Sequence, residues 1–187
     1  SLAPPELRAV HPLGKSPVIS DGDVVVAESG AIIEYLVDKA GGALKPKPGT
    51  PEQRRFTYWL HFAEGSAMPF MILTLVFERI KRVKMPFFAK PIARGIADKV
   101  MSSFVMPNIQ RQFDYMNAEL ASRDWFTGPD FSAADIQMSF VLEAAASRKA
   151  LDAAKHPRLA DFLKRCQARP AYRRALERGG PYSLLHD

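Results

Sequence analysis

The spacing of apolar positions changes character once along the chain. Before residue 45 the pattern is short-period: Pro17-Val18-Ile19-Ser20 and Val24-Val25-Val26-Ala27 are two β-favouring runs around the Gly-centred segment Asp21-Gly22-Asp23. That arrangement predicts a short antiparallel hairpin. A helix is expected directly after it, opened by Glu28 and Ser29. Ile32, Ile33, Leu36 and Val37 recur at helical spacing until Gly41-Gly42 stops it. The stretch Lys45-Pro46-Lys47-Pro48-Gly49-Thr50-Pro51 holds three prolines and a glycine in seven residues and reads as an interdomain linker.

From Pro51 onward the pattern is helical. Thr50 is a suitable N-cap and Pro51 a suitable first helical residue, after which Phe56, Leu60, Ala63 and Ala67 recur at three- and four-residue steps. Tyr58, Trp59 and Phe62 add apolar surface on other faces, so this helix should be covered on two sides, by its own domain and by a second subunit. Pro69 should kink it and Met85-Pro86 end it. A second long helix is expected from Pro91 to Leu120, kinked at Pro107, with a stripe at Ile109, Phe113, Met116 and Leu120. Ile136 to Ala146, polar only at Gln137, Ser139 and Glu143, reads as the central buried helix. Leu159, Phe162, Leu163 and Cys166 mark a further helix, and Pro170 opens a last short one with Tyr172 and Leu176. The domains expected are therefore 1–44, a linker 45–51, and an all-helical 52–187.

Composition narrows the class. With 187 residues, 47% of them apolar, the chain can bury a core, which excludes general disorder. A single cysteine permits neither an intrachain disulfide nor a Cys-based zinc site, and it fits a reducing, cytoplasmic setting. Uninterrupted apolar runs are shorter than the roughly 18 residues of a membrane span, so no membrane partner is expected. The first six residues, Ser1-Leu2-Ala3-Pro4-Pro5-Glu6, do not resemble a signal peptide.

Three local motifs carry candidate chemistry. In His11-Pro12-Leu13-Gly14-Lys15-Ser16-Pro17 a cis Ser16-Pro17 bond would turn the Ser16 backbone outward, where an extended peptide ligand can pair with it. An ordinary trans strand start is the alternative. In Ala27-Glu28-Ser29-Gly30-Ala31-Ile32 the free N–H groups of a helix start suit a carboxylate, the Ser29 hydroxyl adds a donor, and Glu28 can pair with an ammonium. Together they would clasp an α-amino-acid head group; equally, both can be simple N-terminal capping residues. In Phe131-Ser132-Ala133-Ala134-Asp135-Ile136, Ser132 and Asp135 have capping-box spacing and Phe131 can staple onto Ile136, a structural role.

Taken in order, these motifs, the Pro-rich linker and the ending His156-Pro157-Arg158-Leu159 through Arg169-Pro170-Ala171-Tyr172 resemble the glutathione S-transferase family, of the cytosolic, bacterial-like type. The resemblance covers essentially the whole chain. It implies an α/β plus all-α architecture: the C-terminal part of a thioredoxin-like domain, then an all-helical domain. It further implies that Ser16, before a cis Pro17, pairs its backbone with the cysteinyl unit of glutathione, that Glu28 and Ser29 hold the γ-glutamyl head group, and that Lys15 lies near the glycine carboxylate. The helix from Pro51 would line a homodimer interface and the pocket for a small hydrophobic electrophile, with Glu64, Ala67, Met68 and Met71 as candidates. Glutathione would be a co-substrate, conjugated to the electrophile or used to reduce it, in a detoxifying role, and no metal is implied.

The family's thioredoxin-like domain begins with a strand, a helix and a strand that would precede Ser1, together with the Ser, Tyr or Cys that activates the thiol. The chain is thus expected to be a fragment, and no catalytic residue is assigned. Ser16 and Ser29 are needed elsewhere, and Cys166 on its apolar stripe is expected to be buried and inert. A non-catalytic binding module is the alternative function. The bases Arg79, Lys81, Arg82, Lys84, Lys90, Arg94 and Lys99, against Glu78 and Asp98, are expected to form a solvated face rather than a nucleic-acid site. His11, His61, His156 and His186 match no metal-ligand spacing.

Overall fold

Two prolines sit inside the two longest helical runs of the protein, and the backbone opens a wider turn before each of them. An interior proline lacks the N–H of the i to i−4 bond and its ring presses on the preceding turn. In the computed structural model, which describes residues 3–180, the helix α3 (Pro51–Phe62) passes through a π-helical segment, Ala63–Ala67, into α4 (Met68–Arg82) carrying Pro69. The same device recurs where α5 (Ala89–Val100) passes through Met101–Val105 into α6 (Met106–Glu119) carrying Pro107. The expected kinks are therefore π-turns, which loosen the ladder where the proline cannot join it. His186 and the outer ends of the ranges 1–44 and 52–187 lie outside the described residues.

The N-terminal part is small. A six-residue helix α1 (Pro5–Val10), too short to carry an apolar stripe and not foreseen from the sequence, leads to the hairpin of β1 (Val18–Asp21) and β2 (Val24–Ala27), followed by α2 (Ser29–Lys39). The strands pair antiparallel with Val18 opposite Ala27 and Asp21 opposite Val24, which leaves Gly22 and Asp23 as a two-residue loop. Gly22 has φ of +59°, the left-handed value that a tight hairpin loop asks of its first residue. Tyr35 on α2 donates to the Asp21 carboxylate at 2.6 Å, and Lys39 pairs with the same oxygen, so the hairpin is tied to the helix that follows it. Those two partners hold the Asp21 carboxyl below its ordinary range, Lys39 contributing most.

The proline-rich segment 45–51 ends in the cap foreseen for it: Thr50 Oγ accepts the Gln53 N–H at 3.2 Å and donates to the Lys47 carbonyl at 2.7 Å. Helix α7 (Ala133–Ser147) forms the centre of the larger part, packed against α2, α3, α4 and α8 (Pro157–Ala168), with α9 (Pro170–Gly179) outside α8. Its buried polar groups are satisfied. Gln137 donates to Glu64, and Glu143 accepts from Gln167 at 3.2 Å and Tyr172 at 2.5 Å. The helix is not covered all round, however, since Ile136 and Phe140 remain 45% and 46% exposed.

The capping box opens α7: the Asp135 carboxylate accepts the Ser132 N–H at 2.8 Å, the Ser132 hydroxyl at 2.9 Å and, from the preceding loop, the Phe126 N–H at 2.8 Å. Burial still outweighs these bonds and raises the Asp135 carboxyl above its ordinary value. Phe131 packs edge-on against Trp125 at 4.8 Å and beneath the Arg169 guanidinium at 3.6 Å. His156 stands at the N-cap position of α8, and its side chain bonds through Nε2 to Asp114 at 2.9 Å.

The run Pro51–Arg82, 32 residues counted through its π-turn, is long and apolar enough to cross a bilayer by length and composition, although polar residues interrupt its apolar stretches. Its stripe of Phe56, Trp59, Leu60, Ala63, Ala67 and Met71 is part of the core.

Candidate functional site

Four of the five residues assigned to glutathione converge at one end of the hairpin because of the strand register. Val18 begins β1 opposite Ala27, the last residue of β2, so Ser16-Pro17 and Glu28-Ser29 both emerge from that end. Lys15 adjoins them in sequence. Ser16-Pro17 is a cis peptide bond. Lys15, Ser16, Pro17 and Glu28 are exposed and Ser29 is half-buried, so their polar groups face solvent along one open edge.

The approach to this edge is sterically tight. Gly14 has φ of +56°, and a Cβ there would lie 2.5 Å from the Ala3 Cβ, so only glycine lets the segment before Lys15 fold beneath α1.

Glu28 holds the most unusual backbone of the group, φ of +75° and ψ of 127°, at the N-cap of α2. A non-glycine residue at such an angle costs on the order of 1–3 kcal/mol and persists where the surroundings dictate it. Its carbonyl accepts the Ile32 N–H at 2.9 Å, which starts the helix, yet no side-chain cap bond is made at this terminus. The positive end of α2 therefore meets solvent with its first amides unclaimed by a side chain, beside an exposed carboxylate. Of the two readings open from the sequence, simple capping by Glu28 is not what its side chain does. The left-handed angle left no local signal in the sequence, since nothing in Ala27-Glu28-Ser29 demands it.

The four residues assigned to an electrophile pocket are placed differently from one another. Ala67 and Met71 are core residues, 1% and 3% exposed; Met68 is half-buried against that core; Glu64 is exposed and accepts from Gln137. The reason is rotational: Ala67 and Met71, four residues apart, share the helix face that meets α7. Ser132 and Asp135 sit together as the capping box, buried, beside the point where the Leu44 carbonyl accepts the Ala133 N–H at 2.9 Å.

Cys166 is 4% exposed, and burial, with help from the nearby Asp135 and Glu143 charges, pushes its thiol up to about 12. A thiol so placed is not a nucleophile at neutral pH. Among the described residues no group of three or more His, Cys, Asp or Glu side chains converges as a metal site. Concave space lies elsewhere: a cavity of about 450 Å³ is lined by Lys45, Lys47, Thr50, Asp130 and Phe131, and another of about 840 Å³ by Thr74, Glu78, Arg79, Arg82 and Arg148. Neither includes Lys15, Ser16, Glu28 or Ser29, which stand on the exposed hairpin edge.

Comparison with known proteins agrees with this arrangement. The glutathione S-transferase N-terminal domain model matches residues 1–44 and the C-terminal domain model residues 81–170. Glutathione S-transferase 3 of Schizosaccharomyces pombe is 34% identical over 177 residues, covering 94% of this chain and 72% of its own length. Among solved structures, a glutathione S-transferase from Actinobacillus pleuropneumoniae superposes with a TM-score of 0.74 at 27% identity, covering 99% of this chain and 79% of that one. A glutathione transferase from Phanerochaete chrysosporium, solved in complex with oxidized glutathione, gives 0.72 at 25% identity, with 94% of this chain and 77% of that one covered. Sequence motifs, hairpin-to-helix geometry and relatives thus coincide, and the chain belongs to the glutathione S-transferase family.

Proposed function

We propose that this protein binds glutathione along the Ser16–Ser29 edge and directs its thiol at small hydrophobic electrophiles, by conjugation or by thiol-dependent reduction. The observation that carries the reading is Glu28: an exposed carboxylate on a left-handed residue, beside a helix start that no side chain caps. A γ-glutamyl head group has complementary chemistry. Its carboxylate takes the Ser29 hydroxyl and the first amides of α2, its ammonium takes Glu28, the outward Ser16 backbone pairs with the cysteinyl amide, and Lys15 meets the glycine carboxylate. The solved relative in complex with oxidized glutathione supports the choice of ligand.

Binding of this kind fixes the thiol in place. The free thiol titrates about two units above neutral, so a hydroxyl donating to sulfur is needed to supply thiolate at pH 7. That donor is not assigned to any residue of this chain. Glu64 and Met68 are the members of the electrophile set that keep surface. The chain is taken to divide at the 45–51 linker and to act as a cytoplasmic homodimer, a second copy covering the exposed Tyr58, Ile72 and Val76 of α3 and α4.

Calorimetric titration of the full-length protein with glutathione tests the reading. Glu28→Ala should weaken binding by about tenfold, the value of a charge-assisted hydrogen bond, and Ser29→Ala by several-fold. Unchanged affinity in both would sink it.

A further inference from the structure

The hairpin between α4 and α5 ends in exposed apolar side chains. Phe87 is 88% exposed and Phe88 66%, their rings edge-on to each other at 5.7 Å. Ile92 and Ile96 continue from Phe88 at four-residue steps and are 65% and 60% exposed, while Ala97, on the opposite side of α5, is 1% exposed. The helix thus meets the core with one face and offers a second apolar stripe outward.

Charge is concentrated at the same place. Between residues 78 and 99 there are seven Lys and Arg against two acids, so five of the chain's six net positive charges lie on this hairpin. The two acids are spent internally, since Lys81 bonds both Glu78 and Asp98 at 2.7 Å. Arg79, Arg82, Lys84, Lys90, Arg94 and Lys99 remain exposed. Arg79 and Arg82 also line the cavity of about 840 Å³, together with Arg148 and Lys149, and Glu78 is the one acid among its described lining residues.

We propose that this hairpin tip docks on the surface of an anionic lipid bilayer, with Phe87, Phe88, Ile92 and Ile96 entering the headgroup–acyl boundary and the surrounding bases meeting lipid phosphates. Apolar side chains flanked by Lys and Arg are what an interfacial helix requires. A second copy fits the tip poorly, because a two-fold contact would set the same bases against themselves. Single-stranded nucleic acid fits less well, since the aliphatic half of the stripe cannot stack on bases. The proposal goes beyond the glutathione reading and does not depend on it. It also departs from the sequence expectation of no membrane partner, which rested on the lack of a spanning segment.

The test is co-sedimentation of the full-length protein with phosphatidylcholine vesicles, with and without about a third phosphatidylserine. Expected is pelleting with the anionic vesicles that fades as salt rises. Phe87→Ser/Phe88→Ser should abolish it, and Lys84→Glu/Lys90→Glu should reduce it by on the order of tenfold or more. Circular dichroism and sedimentation velocity should be unchanged in both variants. Any one of four results would overturn the proposal: no pelleting, equal pelleting with neutral vesicles, binding of an RNA oligonucleotide in place of vesicles, or conversion of a dimer to monomer by the Phe substitutions.

Discussion

Val18 pairs with Ala27 at the open end of the β1–β2 hairpin, and this single register brings Ser16-Pro17 alongside Glu28-Ser29. A slip by one residue would turn alternate side chains to the other face and separate the two halves of the proposed glutathione shelf. The register is set at the far end by the Gly22-Asp23 loop. Gly22→Val should therefore strain the loop by about 1–2 kcal/mol and weaken glutathione binding. A Cβ at Gly22 would meet nothing within 4 Å, so the effect comes from the backbone alone. Titration calorimetry and urea unfolding check this: affinity should fall while the main unfolding transition of the helical part keeps its midpoint.

Glu28 should set stability against binding if it holds the ligand as proposed. Its φ of +75° suits glycine, so Glu28→Gly should relieve strain and raise unfolding free energy by about 1 kcal/mol. The same substitution removes the carboxylate that would hold the ligand ammonium, and glutathione affinity should fall by about tenfold. Stability and affinity moving in opposite directions is the expected signature. If both fall together, the residue is serving only the fold.

The elements visible in the sequence were those that local chemistry determines. Thr50-Pro51 and Ser132-x-x-Asp135 each encode a helix start within a few residues, and both caps form. The hairpin followed from two β-branched runs and a central glycine, and with it the meeting of Ser16-Pro17 and Glu28-Ser29 at one end. What stayed hidden depends on partners far away or on backbone shape. Asp21 meets Tyr35 and Lys39 only after α2 folds back over the hairpin. Prolines 69 and 107 foretold a disturbance but not that a π-turn would absorb it. Ala67 and Met71 looked available to a ligand because the sequence does not say which face of a two-sided helix meets α7; packing decides that.

Asp135, itself 0% exposed, links the loop at Phe126 to the start of α7 through three hydrogen bonds, one from Phe126 and two from Ser132. Asp135→Ala should leave the Phe126 and Ser132 amides buried without acceptors and cost roughly 3 kcal/mol. Ser132→Ala removes one hydroxyl from the same carboxylate and should cost about 1 kcal/mol. Urea midpoints at matched slope would show the ordering, and equal costs would contradict it.

Cys166 should make the protein lose stability at high pH. Its thiol titrates near 9.0 in an unfolded chain and is pushed to about 12 by burial in the fold. The folded state therefore keeps a proton that the unfolded state sheds, so the contribution is fully present below pH 9 and is lost as pH rises from there toward 12. The slope over that window is up to about 1.4 kcal/mol per pH unit for this one group. Tyr and Lys side chains titrate in the same range, so the measurement is the difference between the natural protein and Cys166→Ala in urea unfolding at pH 8 and at pH 10.5. The variant should begin less stable, because a cavity replaces a core sulfur, and the gap should narrow at the higher pH. A gap independent of pH would mean that the thiol is not held protonated by its surroundings. Iodoacetamide gives a second readout: Cys166 should resist alkylation in the native protein at pH 8 and react once urea unfolds it.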